Sequence, residues 1–158
     1  MYMWQRIQTI YLLLTLVLTI ICLCSPVAFF HEPELGGTTL MTNFFTVVPM
    51  AKKADFSVWP MFVVLLLTCP ITIFAIFHYK KRMLQARLCV FNIVLILLWM
   101  ALCAFYVYTY QTKDEVCHLE MTFSSCLPAL SLILYILARR GIIKDEKLVK
   151  AANRKRKA

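Results

Sequence analysis

Leu88-Cys89-Val90-Phe91-Asn92-Ile93-Val94-Leu95-Ile96-Leu97-Leu98-Trp99-Met100-Ala101-Leu102-Cys103-Ala104-Phe105-Tyr106-Val107-Tyr108-Thr109-Tyr110 runs without one charged residue. At ~1.5 Å per residue a helix of this length crosses a ~30 Å hydrocarbon core. Tyr106, Tyr108 and Tyr110 close it as an aromatic belt at a membrane interface. Working outward, similar blocks lie on both sides. Upstream, the short turn His78–Arg87 carries Lys80, Lys81, Arg82 and Arg87, and a span is predicted before it at 58–77. Downstream, 111–120 is acidic in balance, and a span is predicted at 121–138. A first span is predicted at 7–30.

The composition agrees. Of 158 residues, 61% are hydrophobic and only three are Gly, with a mean hydropathy of +0.74. Soluble domains sit nearer half apolar. Four spans use more than half the chain, which leaves too little for a soluble catalytic domain. The first block is read as an uncleaved span rather than a signal peptide. Only Arg6 is basic before it, the apolar run is longer than a signal core, and Pro26 follows Ser25 where cleavage wants small residues.

Details within the blocks set further expectations. Pro26 either breaks span one, leaving Val27–Phe30 at the interface, or the whole segment tilts. In the outer loop 31–57, Gly36-Gly37 signals a turn and Thr38–Val48 is rich in strand formers. A short hairpin or a flap over the mouth of the helices is expected there. Pro70 lies mid-span and frees the carbonyl of Leu66, with Thr68 and Thr72 placed to help satisfy the freed groups. Arg139-Arg140 stop the fourth span, Gly141 is read as a left-handed helix end, and Ile142–Asn153 as a separate amphipathic surface helix.

Charge gives the orientation. Fourteen of the seventeen Lys and Arg fall at the N-terminus, the 78–87 turn and the tail, while Lys52, Lys53 and Lys113 fall on the other side with six of the eight acids. The positive-inside rule puts both termini in the cytoplasm. The net charge of +9 is therefore matched to anionic lipid headgroups rather than to nucleic acid. The fold expected is all-α, an antiparallel four-helix transmembrane bundle over residues 1–140 with a basic, amphipathic cytoplasmic tail at 141–158.

Three stretches carry a family resemblance. Trp4-Gln5-Arg6-Ile7-Gln8-Thr9-Ile10-Tyr11-Leu12-Leu13-Leu14 resembles an N-terminal Q-R-I-Q-T-x-Y-L-L-L pattern. Gln85-Ala86-Arg87-Leu88-Cys89-Val90-Phe91-Asn92 resembles Q-x-R-L-x-x-x-N, and Ala138-Arg139-Arg140-Gly141-Ile142 with Lys144-Asp145-Glu146-Lys147-Leu148-Val149 resembles A-x-R-x-I-x-K-D-E-x-L-V. In this order they resemble the bacterial integral membrane family labelled domain of unknown function 4293. The resemblance implies four spans in a bacterial inner membrane. It implies no activity and no catalytic residues.

Candidate sites follow from the polar residues. Gln5, Arg6, Gln8, Gln85, Arg87 and Asn92 are predicted near the cytoplasmic face, where a polar cluster binds a headgroup, an anion or a partner. The simpler reading, which the residue types favour, has the arginines snorkelling and the amides bridging spans. Asn92, about a turn inside span three, should hydrogen-bond to a neighbouring span. Arg139, Arg140, Lys144, Asp145, Glu146, Lys147 and Lys150 form a tail suited to lipid or partner contact. For Asp145-Glu146, a docking face and a solvated helix start with good dipole complementarity are equally open.

Among the seven cysteines there is no Cys-x-x-Cys. A Cys117–Cys126 disulfide is a candidate, and quinone-coupled thiol oxidation is the only enzyme-like reading. Cys22 and Cys24 in one helix point to different sides, against a reactive pair. The three His lie at span ends on both sides and form no single metal site. No cofactor motif is present. The function expected is that of a non-enzymatic inner-membrane accessory or scaffold acting through its cytoplasmic face. The thiol oxidoreductase and a small-solute channel or transporter are the alternatives, and a membrane or cytoplasmic protein partner and a homo-oligomer are left open.

Overall fold

Each helix buries a stripe at three- and four-residue spacing and leaves large apolar residues exposed on its other faces. In a computed structural model that describes residues 3–32, 37–48, 53–78, 81–113 and 118–155, the chain is mostly helical with a small sheet. Helix α1 covers Met3–Cys24, α2 Trp59–Phe77, α3 Arg82–Lys113 and α4 Leu127–Lys155. The buried stripe of α1 is Leu12, Thr15, Thr19 and Cys22, and that of α2 is Met61, Leu65, Thr68, Thr72 and Ala75. On α3 it is Gln85, Cys89, Asn92, Ile96, Trp99, Cys103 and Val107, and on α4 Ser131, Tyr135, Ala138, Ile142 and Asp145. This spacing is the seam of helices packed at small crossing angles. Contacts run α1 to α2, α2 to α3, α3 to α4 and α4 back to α1.

The outward faces explain why the helices form. Ile10, Leu13, Leu14, Val17, Ile20 and Ile21 on α1, and Val90, Phe91, Val94, Leu97 and Leu98 on α3, are all exposed. In water such a belt would be an aggregation surface. Against lipid it is the solvated face, and the helix is the form that satisfies every backbone group internally. Trp59–Phe77, Arg82–Thr112 and Phe123–Ala152 are long and apolar enough to cross a membrane, with 28%, 28% and 33% of their most apolar windows buried. The apolar stretch of α1, Gln8–Cys24, is shorter.

At one end of the helices lies an antiparallel five-stranded sheet. Strands β1 (Ala28–Glu32), β2 (Gly37–Met41), β3 (Thr46–Val48), β4 (Lys53–Asp55) and β5 (His118–Met121) stand in the order β4-β3-β2-β1-β5. Strand β1 pairs Phe30 with Thr39 on one side and Leu119 on the other. The expected strands in Thr38–Val48 are present as β2 and β3, but the predicted hairpin is only part of the sheet.

Several boundaries are corrected. The first helix stops at Cys24, as a break at Pro26 requires and not as a tilted span reaching residue 30, and Ala28–Phe30 belong to the sheet. Pro26 has no N–H to continue the helix, and the next amide, Val27, donates to Met41 O at 2.8 Å. Residues 118–121, expected as loop and as the start of span four, form β5 because β1 offers a free edge. A 3-10 turn, Phe123–Cys126, then leads into α4, so the fourth long helix begins at Leu127 with Pro128 in its first turn. Helix α3 begins at Arg82, not Leu88, which makes Gln85 and Arg87 helical. The hydroxyls near Pro70 do not reach the freed Leu66 carbonyl: Thr68 donates to Leu65 O and Thr72 to Thr68 O, each at 2.6 Å.

The largest correction concerns Gly141. It neither ends a helix nor separates an amphipathic tail, because α4 runs unbroken through it to Lys155. Arg139 and Arg140 are exposed, so they do not interrupt the buried stripe, which continues through Ile142 and Asp145. Gly141 is there for space. A Cβ would lie 3.3 Å from Gln8 Cγ, tighter than ordinary packing.

Candidate functional site

The N-terminal half of α1, the α2–α3 turn and the C-terminal half of α4 converge at the end opposite the sheet. Their junction is a buried hydrogen bond: Gln8 Nε2 donates to Asp145 Oδ2 at 2.8 Å. Both residues are more than nine-tenths buried, at 6% and 7% exposure. Arg82 Nη1 donates to the Asp145 backbone oxygen at 3.4 Å, tying the start of α3 to the same turn of α4. The absence of a side chain at Gly141 lets Gln8 lie flat against α4 on its way to Asp145.

A second polar group lies about two turns deeper, within one of two apolar cores. The core toward the sheet holds Met61, Leu65, Trp99 and Cys103, and the one toward the junction holds Leu12, Ala75, Cys89, Ile96, Tyr135 and Ile142. Inside the latter Asn92 Nδ2 donates to Thr72 Oγ1 at 3.1 Å, and Thr72 Oγ1 lies 2.5 Å from Tyr135 Oη. Either hydroxyl can donate in the Thr72–Tyr135 bond, and Thr72 Oγ1 also lies 2.6 Å from the Thr68 carbonyl. Thr15 meets the same phenol, so all four helices contribute. Asn92 Oδ1 is buried without a partner.

The six residues expected in one polar cluster are therefore divided. Gln8 joins Asp145. Gln85 is buried on the same end of α3, and Arg87 is exposed. Asn92 belongs to the deeper group and bonds to α2, as expected of a buried amide. The side chains of Gln5 and Arg6 lie outside the described residues. In the tail, Arg139, Arg140, Lys144, Lys147 and Lys150 are exposed, and Glu146 is largely covered. Asp145 is not part of a solvated helix start: it falls in the middle of α4, on the buried stripe. Glu146 Oε1 pairs with Lys150 Nζ at 2.9 Å, the i, i+4 pair its spacing allows.

Beyond these, the turn between β2 and β3 reaches into the helices. Asn43, fully buried, donates Nδ2 to Cys22 O at 2.7 Å and accepts from Trp99 Nε1 at 3.0 Å. Sequence reasoning missed Asn43, Tyr135 and Arg82. Tyr135 was readable from its four-residue spacing to Ser131 and three-residue spacing to Ala138. Asn43 carries no local signal, since its partners lie 21 and 56 positions away.

The thiols are dispersed. Cys22 is buried and Cys24 exposed, the split that their spacing on one helix requires. Cys126 is exposed, and Cys117, its proposed disulfide partner, lies outside the described residues. His31 is bound by Glu120 at 3.2 Å and Thr38 at 3.1 Å within the sheet. Among the described residues no three metal-ligating side chains come together.

No curated protein matches the sequence. Residues 4–154 match the sequence profile of a family described as Domain of unknown function (DUF4293).

Proposed function

The chain belongs to the DUF4293 family, and we propose that it is a four-span antiparallel bundle in a bacterial inner membrane, with both termini in the cytoplasm. Its role is non-enzymatic: an accessory or scaffold that meets its partners through the basic end of α4. The observation that carries this reading is the continuity of α4 past Gly141, fastened to α1 by Gln8 and Asp145. A 29-residue helix is ~43 Å long, against a hydrocarbon core of ~30 Å. About 13 Å then stands clear of the apolar layer as a stiff extension rather than a loose tail.

Charge supports the orientation. Residues 78–87 and the tail, together with Arg6, hold fourteen of the seventeen Lys and Arg, and the start of α3 and the end of α4 meet at the junction end. For α1, the apolar segment Gln8–Cys24 is ~25 Å long, a few ångströms short of the core, which local thinning of the bilayer accommodates. Its exposed Ile10, Leu13, Val17 and Ile20 face outward as the apolar residues of the other helices do.

Two measurements test the reading. A single cysteine at Lys157, introduced into a cysteine-free chain, should resist a membrane-impermeant thiol reagent in intact cells and react after lysis; labelling from outside sinks the orientation. A photo-crosslinker at Lys147 should capture a discrete protein, whereas one at Tyr108, at the sheet end, should not. Capture only at Tyr108 would mean that the working face is the opposite one.

A further inference from the structure

The three histidines cannot share one ion, but the register of the sheet brings two of them to adjacent strands. Ala28, Phe30 and Met41 turn toward the helices, where they join the core of Met61 and Trp99. Strand residues alternate between faces. His31 and Thr38, partners across β1 and β2, therefore occupy the face turned away from the helices. On β5, His118 stands in register with His31 and Glu120 with Phe29, which places both on that outward face. We propose that this face holds a divalent transition-metal ion of the zinc class, with His31, His118 and Glu120 as ligands and water in the fourth position.

His31 and Glu120 are the two ligating side chains already in contact, with His31 Nε2 3.2 Å from Glu120 Oε2. That is longer than the about 2.7–2.9 Å of a charge-assisted N–H···O bond. It is close to the separation of two atoms that share a tetrahedral zinc ion, which at ~2.0–2.1 Å from the metal stand about 3.3 Å apart. The other ring nitrogen, Nδ1, lies 3.1 Å from Thr38 Oγ1. A ligating histidine almost always gives its second N–H to such an acceptor, which fixes the ring and leaves Nε2 for the metal. Residues directly opposite on antiparallel strands stand about 4.5–5.5 Å apart at Cβ, close enough for two imidazoles to reach one ion. The side chains of His31 and Glu120 are 41% and 71% exposed, so an ion needs no path through the fold. Two imidazoles and a carboxylate are a donor set of three-ligand zinc sites, whereas magnesium and calcium take oxygen ligands. Bound there, the ion is a clip. Strand β1 follows α1 and β5 leads into α4, so it fastens these helices at the sheet end as Gln8 and Asp145 fasten them at the other.

The test is zinc titration of the full chain in detergent micelles by calorimetry, with magnesium in excess. The accessible thiols, Cys24 and Cys126 among them, are first alkylated so that they do not compete. One ion per chain should bind. His31→Ala and His118→Ala should each weaken binding by more than tenfold. Thr38→Val, which keeps every ligand, should weaken it about tenfold, the lower end of an outer-shell contribution. His78→Ala, at the far end of α2, should change nothing. Two readouts on the native chain do not depend on any variant. Cobalt in place of zinc should give the strong visible absorption of a tetrahedral site. Added zinc should slow hydrogen exchange at 28–32 and 118–121 and leave 53–55 unchanged. No zinc binding in excess magnesium overturns the proposal and leaves His31 and Glu120 an ion pair only. Unchanged affinity in His118→Ala overturns it too, as does binding that leaves exchange at 118–121 unaltered. The orientation and the docking role stand apart from these results, since they are read in intact cells.

Discussion

Replacing Gln8 with Leu removes the side-chain donor that the described residues place on Asp145 Oδ2, while keeping the volume that packs against Gly141. Asp145 then sits 7% exposed with a carboxylate oxygen unanswered. A hydrogen bond to a charged group contributes about 1.5–3 kcal/mol, and a buried partner left behind loses its desolvation energy without return. The Gln8→Leu/Asp145→Leu double variant has no such orphan, so its stability should lie well above the sum of the single losses. The cycle should return a coupling of about 1.5–3 kcal/mol, read from unfolding by sodium dodecyl sulfate in mixed micelles. Hydrogen exchange locates the effect. In Gln8→Leu the amides of 142–153 should lose protection while those of 129–138 keep it, because only the distal part of α4 depends on the junction. A coupling below about 0.5 kcal/mol, the usual scatter of independent sites, or loss of protection spread evenly along α4, would refute the view that this bond holds the extension in place.

Three further expectations follow from the same packing. Gly141→Ala should change stability by less than about 1 kcal/mol, because the better helix propensity of Ala offsets a 3.3 Å contact with a flexible side chain. Gly141→Leu should cost about 1–3 kcal/mol by overpacking, both read from the same unfolding curve. Asn43→Ala should destabilise by about 1–3 kcal/mol, since the Trp99 indole and the Cys22 carbonyl both lose a buried partner. In a background with Trp4 and Trp59 replaced by Phe, the emission of Trp99 should shift with it. Asn92→Leu removes one hydrogen bond together with the orphaned Oδ1. Its net cost should therefore be no more than about 0.6 kcal/mol, the average for such bonds within membranes, whereas Asn92→Ala should cost more through the cavity it leaves.

The helices were legible because long uncharged runs have few physical outcomes. Their internal faces were less so. Thr15, Thr68, Thr72 and Ser131 look like scattered polar residues until the 3–4 spacing places them on the buried stripes, where small residues let helices approach. At Gly141 local chemistry was misleading: two arginines before a glycine resemble a helix end, yet Ile142 and Asp145 continue the stripe of Tyr135 and Ala138. The sheet was hidden for a different reason. His118-Leu119-Glu120-Met121 forms a strand only because β1 presents its edge, nearly ninety positions away in sequence. The Gln8–Asp145 pair spans 137 positions, and nothing local in either half announces the other.

That remote pairing has a bearing on biosynthesis. Strand β1 is made once α1 has emerged, but its neighbour β5 follows only after α2 and α3. At ordinary elongation rates the delay is roughly 5–20 s. Throughout that interval one side of β1 offers unpaired backbone to any passing strand, including β5 of a neighbouring copy. If β5 is exchanged between molecules, the dimer fraction on size exclusion should rise with expression rate and should not redistribute on dilution.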